Sequence, residues 1–247
     1  MILFTVITVT YNAEQTLERT LISVREQTYA NIEHIIVDGK STDETLSLIK
    51  KHQTDNLIWI SEKDNGIYDA MNKATAMAKG NYICYLNAGD AFYEKETVEK
   101  IVTTAQQYHL PDILYGETVV VNNEGEFLHN RRLKAPENLN WTSFKQGMLV
   151  CHQAFIIKRS LFDPYDLTYN FSSDIDWCIR LMKKSSSIVN THLILIRYLN
   201  EGITTANRKA SLKERYHIMT KHYGGISTFF HHIWFVLRAI LMPEKKN

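Results

Sequence analysis

Cysteine is scarce in this chain, with three residues (Cys84, Cys151 and Cys178) among 247. Their number is odd and their spacing suits neither a disulfide framework nor a metal-ligand pair. That excludes a small cross-linked scaffold and points to a reducing compartment. Net charge is nearly absent, at a formal +1, and no nucleic-acid partner is expected. A charged leader and a cleavage site are missing, since Met1 runs straight into the strand-like Ile2 to Val9, so a secretory signal is not expected. There is no repeat, low-complexity tract or linker. Neither Gly-x-Gly-x-x-Gly nor Gly-x-x-x-x-Gly-Lys-Ser/Thr occurs, which argues against a dinucleotide enzyme and a P-loop NTPase.

What is present is ordinary material for a soluble core: 45% apolar and 22% charged residues, enough for one large domain with or without an appendage. The first half alternates strand and helix. Phe4 to Val9, Ile32 to Val37, Leu57 to Ile60 and Asn81 to Leu86 read as strands. Between and after them, helices carry Leu17, Leu21 and Val24, then Leu46, Leu48 and Ile49, then Tyr68 to Lys79 up to Gly80, then Val98, Ile101, Val102 and Ala105. Asn12 is positioned to cap the first helix, and Ser41-Thr42-Asp43-Glu44 to form a capping box for the second. Such alternation predicts βαβ units and a mostly parallel, Rossmann-like sheet flanked by helices.

The second half differs. Glu117 to Val121 and Glu126 to Arg132 flank a hairpin turn at Asn122 to Gly125. Further strands are expected at Gln153 to Ile157 and Ser187 to Leu199, and helices at Asp174 to Lys184 and Lys209 to His222. Residues 206–247 hold eight Lys/Arg against two Asp/Glu, leaving the rest with twenty basic and twenty-five acidic side chains. The last element, Phe229 to Met242, is too short to span a bilayer. With His231 and Arg238 on one side and Phe229, Phe230, Trp234, Phe235 and Leu237 on a wide apolar face, it can lie in an anionic membrane interface. The same pattern fits a helix docked on the protein or on a partner subunit, and no oligomeric state follows from it.

Four polar clusters fall at strand ends: Thr8 to Asn12, Asp38 to Asp43, Glu62 to Gly66, and Asn87 to Asp90. In a parallel sheet these ends share one edge, where α/β domains bind ligands. Asp38 or Asp64 can accept a uracil imide or ribose hydroxyl hydrogen, and Tyr11 can stack on a base. Small residues before Asp90 let a phosphate and a cation approach the backbone, and a hard cation prefers such oxygen ligands. Each aspartate also suits a turn or cap, Asp43 most plainly.

Together these segments resemble family 2 glycosyltransferases of the GT-A fold. The resemblance rests on Thr8-Val9-Thr10-Tyr11-Asn12, Val37-Asp38-Gly39-x-Ser41-Thr42-Asp43, Asp64-Asn65-Gly66 running to Lys73, Tyr85 to Asp90, Cys151-His152-Gln153, and Ser173 to Trp177. It covers about residues 2 to 205 in the family's order. It implies an inverting transferase that uses a nucleotide sugar, most often a uridine diphosphate one, with Mg²⁺ or Mn²⁺. Residues 1–205 would form the GT-A domain, with a donor half (1–110) and an acceptor half (111–205). Residues 206–247 would be a basic, amphipathic helical extension.

By the same resemblance, Asp38 matches the base-binding aspartate, and Thr8, Thr10, Tyr11 and Asn12 line its pocket. Asp64, Asn65, Gly66 and Asn72 match the donor-side segment. Asn87, Ala88 and Gly89 lead to Asp90, which matches the metal-ligating end of the Asp-x-Asp motif. His152 is placed to bond the diphosphate or the acceptor, and Asp174 matches the general base. The only literal Asp-x-Asp, Asp174-Ile175-Asp176, stands at the base's place, where Asp176 suits a first-turn helix carboxylate.

Two departures stand out: Asn87 and Gly89 bring no extra carboxylate, and Ser173 replaces the glutamate of the acidic pair. The expected role is transfer to a glycan or lipid-linked acceptor at the cytosolic face of a membrane. The alternatives are a nucleotidyltransferase and a degenerate domain that binds without turnover.

Overall fold

A computed structural model describes residues 1–200 and 207–241. The strands are β1 (Phe4–Thr10), β2 (Ile32–Asp38), β3 (Leu57–Ser61), β4 (Tyr82–Tyr85), β5 (Ala91–Phe92), β6 (Ile113–Val121), β7 (Phe127–Asn130), β8 (Phe155–Lys158) and β9 (Ile188–Leu199). The helices are α1 (Leu17–Arg25), α2 (Thr45–Lys51), α3 (Ile67–Met77), α4 (Thr97–Gln107), α5 (Ser173–Lys184), α6 (Arg208–Tyr223) and α7 (Gly225–Leu241).

One nine-stranded sheet has the order β3-β2-β1-β4-β8-β6-β9-β5, with β7 paired to β6. β3, β2, β1 and β4 are parallel neighbours. β8 runs against β4 and β6, and β6 and β9 again pair in parallel. This is the mostly parallel, helix-flanked sheet that the alternation predicts. Every residue of β1, β2 and β4 is buried, as continuous apolar strands covered on both faces require. The helices supply that cover through single stripes, Leu17, Leu21 and Val24 on α1 and Val98, Ile101, Val102 and Ala105 on α4.

The main core runs from Ile2 to Ile218 of α6 and includes Trp177, fully buried and stacked on Tyr165 with ring centroids 4.7 Å apart. A smaller cluster of Leu17, Leu21, Ile36, Ile49 and Leu57 packs separately.

Two expected caps do not form. Asn12 lies in the β1–α1 loop with φ 47°. Its amide donates to Ser41 Oγ at 2.8 Å and its Oδ1 accepts from the Thr42 amide at 2.9 Å. α1 instead begins after Thr16, which makes no side-chain cap bond. The capping box before α2 is also absent, because Ser41 turns inward to Asp38. Asp43 serves that helix instead, accepting from the Thr45 amide at 3.0 Å, and Glu14 accepts from the Glu44 amide at 3.0 Å. Asn12 and Ser41 are also tied to each other across the two strand-end loops, a tertiary contact that local spacing cannot register, while Ser41 is held in its own loop by Asp38.

The C-terminal helices are tied to the domain. Asp176, fully buried on α5, accepts from His222 Nε2 at 2.8 Å and Lys221 Nζ at 3.1 Å through Oδ1, and from Arg180 Nε at 2.6 Å through Oδ2. Its first-turn position is as expected, but its main work is to join α6 to α5. Burial pushes this carboxyl's pKa up, yet the bonds from His222, Arg180 and Lys221 outweigh that and hold it well below the ordinary range. Arg238, expected on the polar side of the last helix, has a side chain outside the described ones.

Candidate active site

The ends of β1, β2 and β3 align in register, Thr10 beside Asp38 and Asp38 beside Ser61, so their loops open on one edge. A cavity of about 610 Å³ lies there. It gathers Thr10, Tyr11, Asn87, Ala88, Asp90, His152 and Asp174 from the sequence-derived set. Tyr68 and Gln153, which lie in the quoted motifs without an expected role, line it too, and so does Arg215, which stands outside those motifs. A depression of about 660 Å³ at the opposite edge, around Asn81, Tyr82, Lys158 and Arg159, is lined by no carboxylate.

Asp90 is 3% exposed. Its Oδ1 accepts from the Leu199 amide at 2.9 Å and its Oδ2 from Gln153 Nε2 at 2.8 Å. Burial raises its pKa to about 7, against the lowering effect of those two donors and of the Arg19 charge. The turn before it is held from α1, where Arg19 Nε donates to the Gly89 carbonyl at 2.9 Å and Thr20 Oγ1 accepts from the Gly89 amide at 2.9 Å. Gly89 has φ +96°, and a Cβ there would stand 2.5 Å from Leu199 Cδ2. Only glycine suits both the left-handed backbone and that contact.

Two buried oxygens on the cavity wall have no hydrogen-bond partner, Thr10 Oγ1 and Asn87 Oδ1. Buried polar atoms are rarely left unpaired in a folded protein, and these two lie on the wall of the same cavity. Asp90 and Asn87 Oδ1 are hard oxygen donors of the type Mg²⁺ or Mn²⁺ takes. Among the described residues no group of three His, Cys, Asp or Glu is assembled for a metal. A cation held there would therefore draw most of its ligands from phosphate oxygens.

Asp174, half-buried in the first turn of α5, accepts from the Tyr68 hydroxyl at 3.1 Å. Tyr68 thereby fixes the orientation of this carboxylate. His152 is buried, with Nε2 2.5 Å from the Tyr165 hydroxyl and its ring 4.9 Å from that of Tyr85. Burial lowers its pKa to about 4, so the ring is neutral at pH 7. It braces the aromatic floor beneath the cavity.

The remaining candidates do not line the cavity. Thr8 is interior, donating to the Leu86 carbonyl at 2.8 Å. Asp38 is fully buried, with Oδ2 accepting from the Ser41 amide at 2.9 Å and Ser61 Oγ at 2.6 Å. Beside it, a Cβ on Gly39 would lie 2.6 Å from Asp64 Oδ2 and 3.4 Å from Tyr11 Cδ2. The structure thus brings Asp64 and the 64%-exposed Tyr11 ring together over the Asp38 loop. Asp64 Oδ1 accepts from the Gly66 amide at 2.9 Å, and the Asn65 amide donates to Asp69 at 2.9 Å, closing the turn into α3. Asn72 bonds both backbone groups of Tyr165. Asn12 and Gly89 shape loops, as described above.

Comparison with known proteins places this geometry. The model of the family described as Glycosyl transferase family 2 matches residues 5–165. A PGL/p-HBAD biosynthesis glycosyltransferase of Mycobacterium bovis is 30% identical over 205 residues, covering 81% of this chain and 77% of that protein. A UDP-Glc:alpha-D-GlcNAc-diphosphoundecaprenol beta-1,3-glucosyltransferase of Escherichia coli is 22% identical over 99% of this chain and 95% of its own length.

Among solved structures, residues 1–349 of S. aureus TarS in complex with UDP-GlcNAc superpose with a TM-score of 0.70 at 18% identity, over 97% of this chain and 73% of that one. The chain spans 44% of a longer TarS structure. A Pyrobaculum calidifontis mannosyltransferase in complex with GDP-Man and Mn²⁺ gives 0.63 at 15% identity, over 97% and 75%. These two show a shared GT-A fold. With the strand-end cavity and a family match over most of its length, this chain belongs to the family 2 glycosyltransferases.

Proposed function

We propose that the chain transfers a sugar, with inversion, from a nucleoside-diphosphate sugar, a UDP-sugar, to a hydroxyl of a glycan or lipid-linked acceptor in polysaccharide or glycolipid assembly. The observation that carries this is the placement of two carboxylates on one cavity wall: Asp174, held by Tyr68, and Asp90, beside the unpartnered oxygen of Asn87. Relatives named for UDP-Glc and solved in complex with UDP-GlcNAc support the donor class.

In this reading Tyr11, Asp38 and Asp64 form the nucleoside end in the donor half (1–110). Thr10, Asn87 and Asp90 face the diphosphate. Asp90 and Asn87 would hold Mg²⁺ or Mn²⁺, which supplies positive charge to the departing diphosphate. Asp174, on the acceptor half (111–205), accepts the proton of the attacking hydroxyl; general-base assistance is worth ~10²–10⁴-fold. Tyr68 keeps the Asp174 carboxylate aimed, and the buried, neutral His152 keeps the Tyr165–Trp177 floor in place.

A screen of nucleotide sugars for release of free nucleoside diphosphate tests the reading. Turnover with one donor, lost in Asp174→Asn while calorimetric UDP binding persists, is the expected result. Binding of nucleotide sugar with no turnover on any donor and acceptor would favour the degenerate-domain alternative.

The same reading places the protein at an anionic membrane face. Ile226, Phe229, Phe230, Ile233, Trp234 and Leu237 are all exposed on α7, at spacings of three and four that form one continuous stripe. Phe235 turns aside to His232, with centroids 5.2 Å apart. No helix among the described residues is long and apolar enough to cross a membrane. An amphipathic helix with a basic surplus around it suits the interface of anionic lipid.

A further inference from the structure

Two cationic side chains line the cavity, and they differ in what they already hold. Arg131 is engaged by backbone, its Nη1 donating to the Leu149 carbonyl at 2.9 Å and its Nη2 to the Met148 carbonyl at 2.6 Å. Arg215 comes from α6, in the C-terminal extension. It is half-buried on the cavity wall with Asn170, Phe171 and Asp174, and its Nε is buried with no partner. Neither Asp90 nor Asp174 reaches it as an ion pair. A guanidinium has only donors and keeps its charge at any ordinary pH. A buried N–H of that kind with nothing to bond is an arrangement that folded proteins avoid unless an acceptor arrives.

The helix turn carrying Arg215 is fixed on both sides. Its neighbour Glu214 is occupied elsewhere, accepting from the Asn170 and Phe171 amides at 2.9 Å each. Ser211 meets Ser172 at 3.0 Å. Further along α6, Lys221 and His222 grip Asp176. These contacts press α6 against the loop that leads into Asp174, so the Arg215 side chain is pointed before any ligand binds. Glu214, the nearest carboxylate in sequence, is committed to backbone amides and leaves the guanidinium charge for something else.

We propose that Arg215 binds a phosphate oxyanion in the cavity, which makes the C-terminal helix part of the active site rather than an appendage. The planar fork of guanidinium donors matches two oxygens of one phosphate, a match a point charge cannot provide. Two sources share this chemistry, the diphosphate of the donor nucleotide and a phosphate carried by the acceptor. The inference rests on the proposed reading of the cavity as a nucleotide-sugar site.

Calorimetry on the full chain tests it, with UDP and Mg²⁺ as one probe and pyrophosphate added to UDP-saturated protein as the other. Arg215→Ala should weaken UDP binding about tenfold or more, with Arg215→Lys between the two, if the donor diphosphate is the ligand. If the acceptor phosphate is the ligand, UDP binding stays and the pyrophosphate heat of the saturated protein disappears. Unchanged binding of both probes overturns the role of Arg215. Wild-type protein with no affinity for UDP defeats the nucleotide reading itself, and this inference with it. Because Arg215 holds no described residue, Arg215→Ala should melt within a degree or two of wild type. A loss of many degrees would show that the residue serves the fold instead.

Discussion

The Tyr68 hydroxyl donates to Asp174 Oδ1 across 3.1 Å, joining the first turn of α3 to the first turn of α5. The two residues lie 106 positions apart, and the contact orients the carboxylate proposed as the base. Tyr68→Phe should therefore lower kcat by about tenfold, the scale of losing one hydrogen bond to a charged group, and leave UDP affinity unchanged. An unchanged kcat in steady-state assays would remove Tyr68 from the aiming of Asp174.

Asp90 and Asn87 are proposed to hold the cation. Chelation with excess EDTA should abolish turnover, and added Mg²⁺ or Mn²⁺ should restore it. Asp90→Ala should lose turnover at any cation concentration. If that variant keeps full activity in excess chelator, the cation assignment is wrong.

Gly89→Ala places a Cβ 2.5 Å from Leu199 Cδ2 at a φ of +96°. Left-handed strain and overpacking together should cost about 2–4 kcal/mol. Because Leu199 also donates its amide to Asp90, activity should fall along with the melting temperature. Thermal scans matching wild type would show that the loop relaxes freely.

Asp176 is the buried hub between α5 and α6, with its carboxyl pKa held below the ordinary range. A depressed folded-state value means that the stability it contributes is present above the unfolded value of 3.8 and is lost as pH falls through the lower folded value. Asp176→Asn should be destabilised by roughly 3 kcal/mol at pH 7. The gap to wild type should narrow below pH 4. Urea titrations at pH 7 and pH 3 check it, and a gap that widens in acid contradicts the assignment.

The α7 stripe gives a separate test. Phe230→Glu with Trp234→Glu should leave the fold intact, because both side chains are more than half exposed. The double variant should stay in the supernatant when wild type sediments with vesicles of phosphatidylglycerol. Equal sedimentation of the two proteins would exclude the stripe as a membrane contact.

Much of the first half was legible from the chain because its signals are local. An apolar run such as Phe4 to Val9 makes a strand wherever it lies, and a stripe such as Val98, Ile101, Val102 and Ala105 makes one buried helix face. The order of strand-end clusters then brings Thr10, Tyr11, Asn87, Ala88 and Asp90 to one edge, since parallel strands share their C-terminal ends. The Asn12 and Ser41 caps failed for the opposite reason. Asn12 bonds to the Thr42 amide and Ser41 accepts from the Asn12 amide across two loops, besides donating to Asp38 in its own loop, and spacing along the chain carries no record of the cross-loop pair.

By itself, then, the sequence determined the alternating α/β plan and the family, and it named Asp90 and Asp174, which the fold brings to one cavity. Tertiary structure alone decided what surrounds them. Gln153 and the Leu199 amide bind Asp90 from 63 and 109 residues away, Tyr68 reaches Asp174, and Arg215 enters the cavity from a helix that the sequence marks only as basic. Periodicity reports which face of an element is buried. Which polar groups then meet depends on how the elements pack, and only the folded chain contains that information.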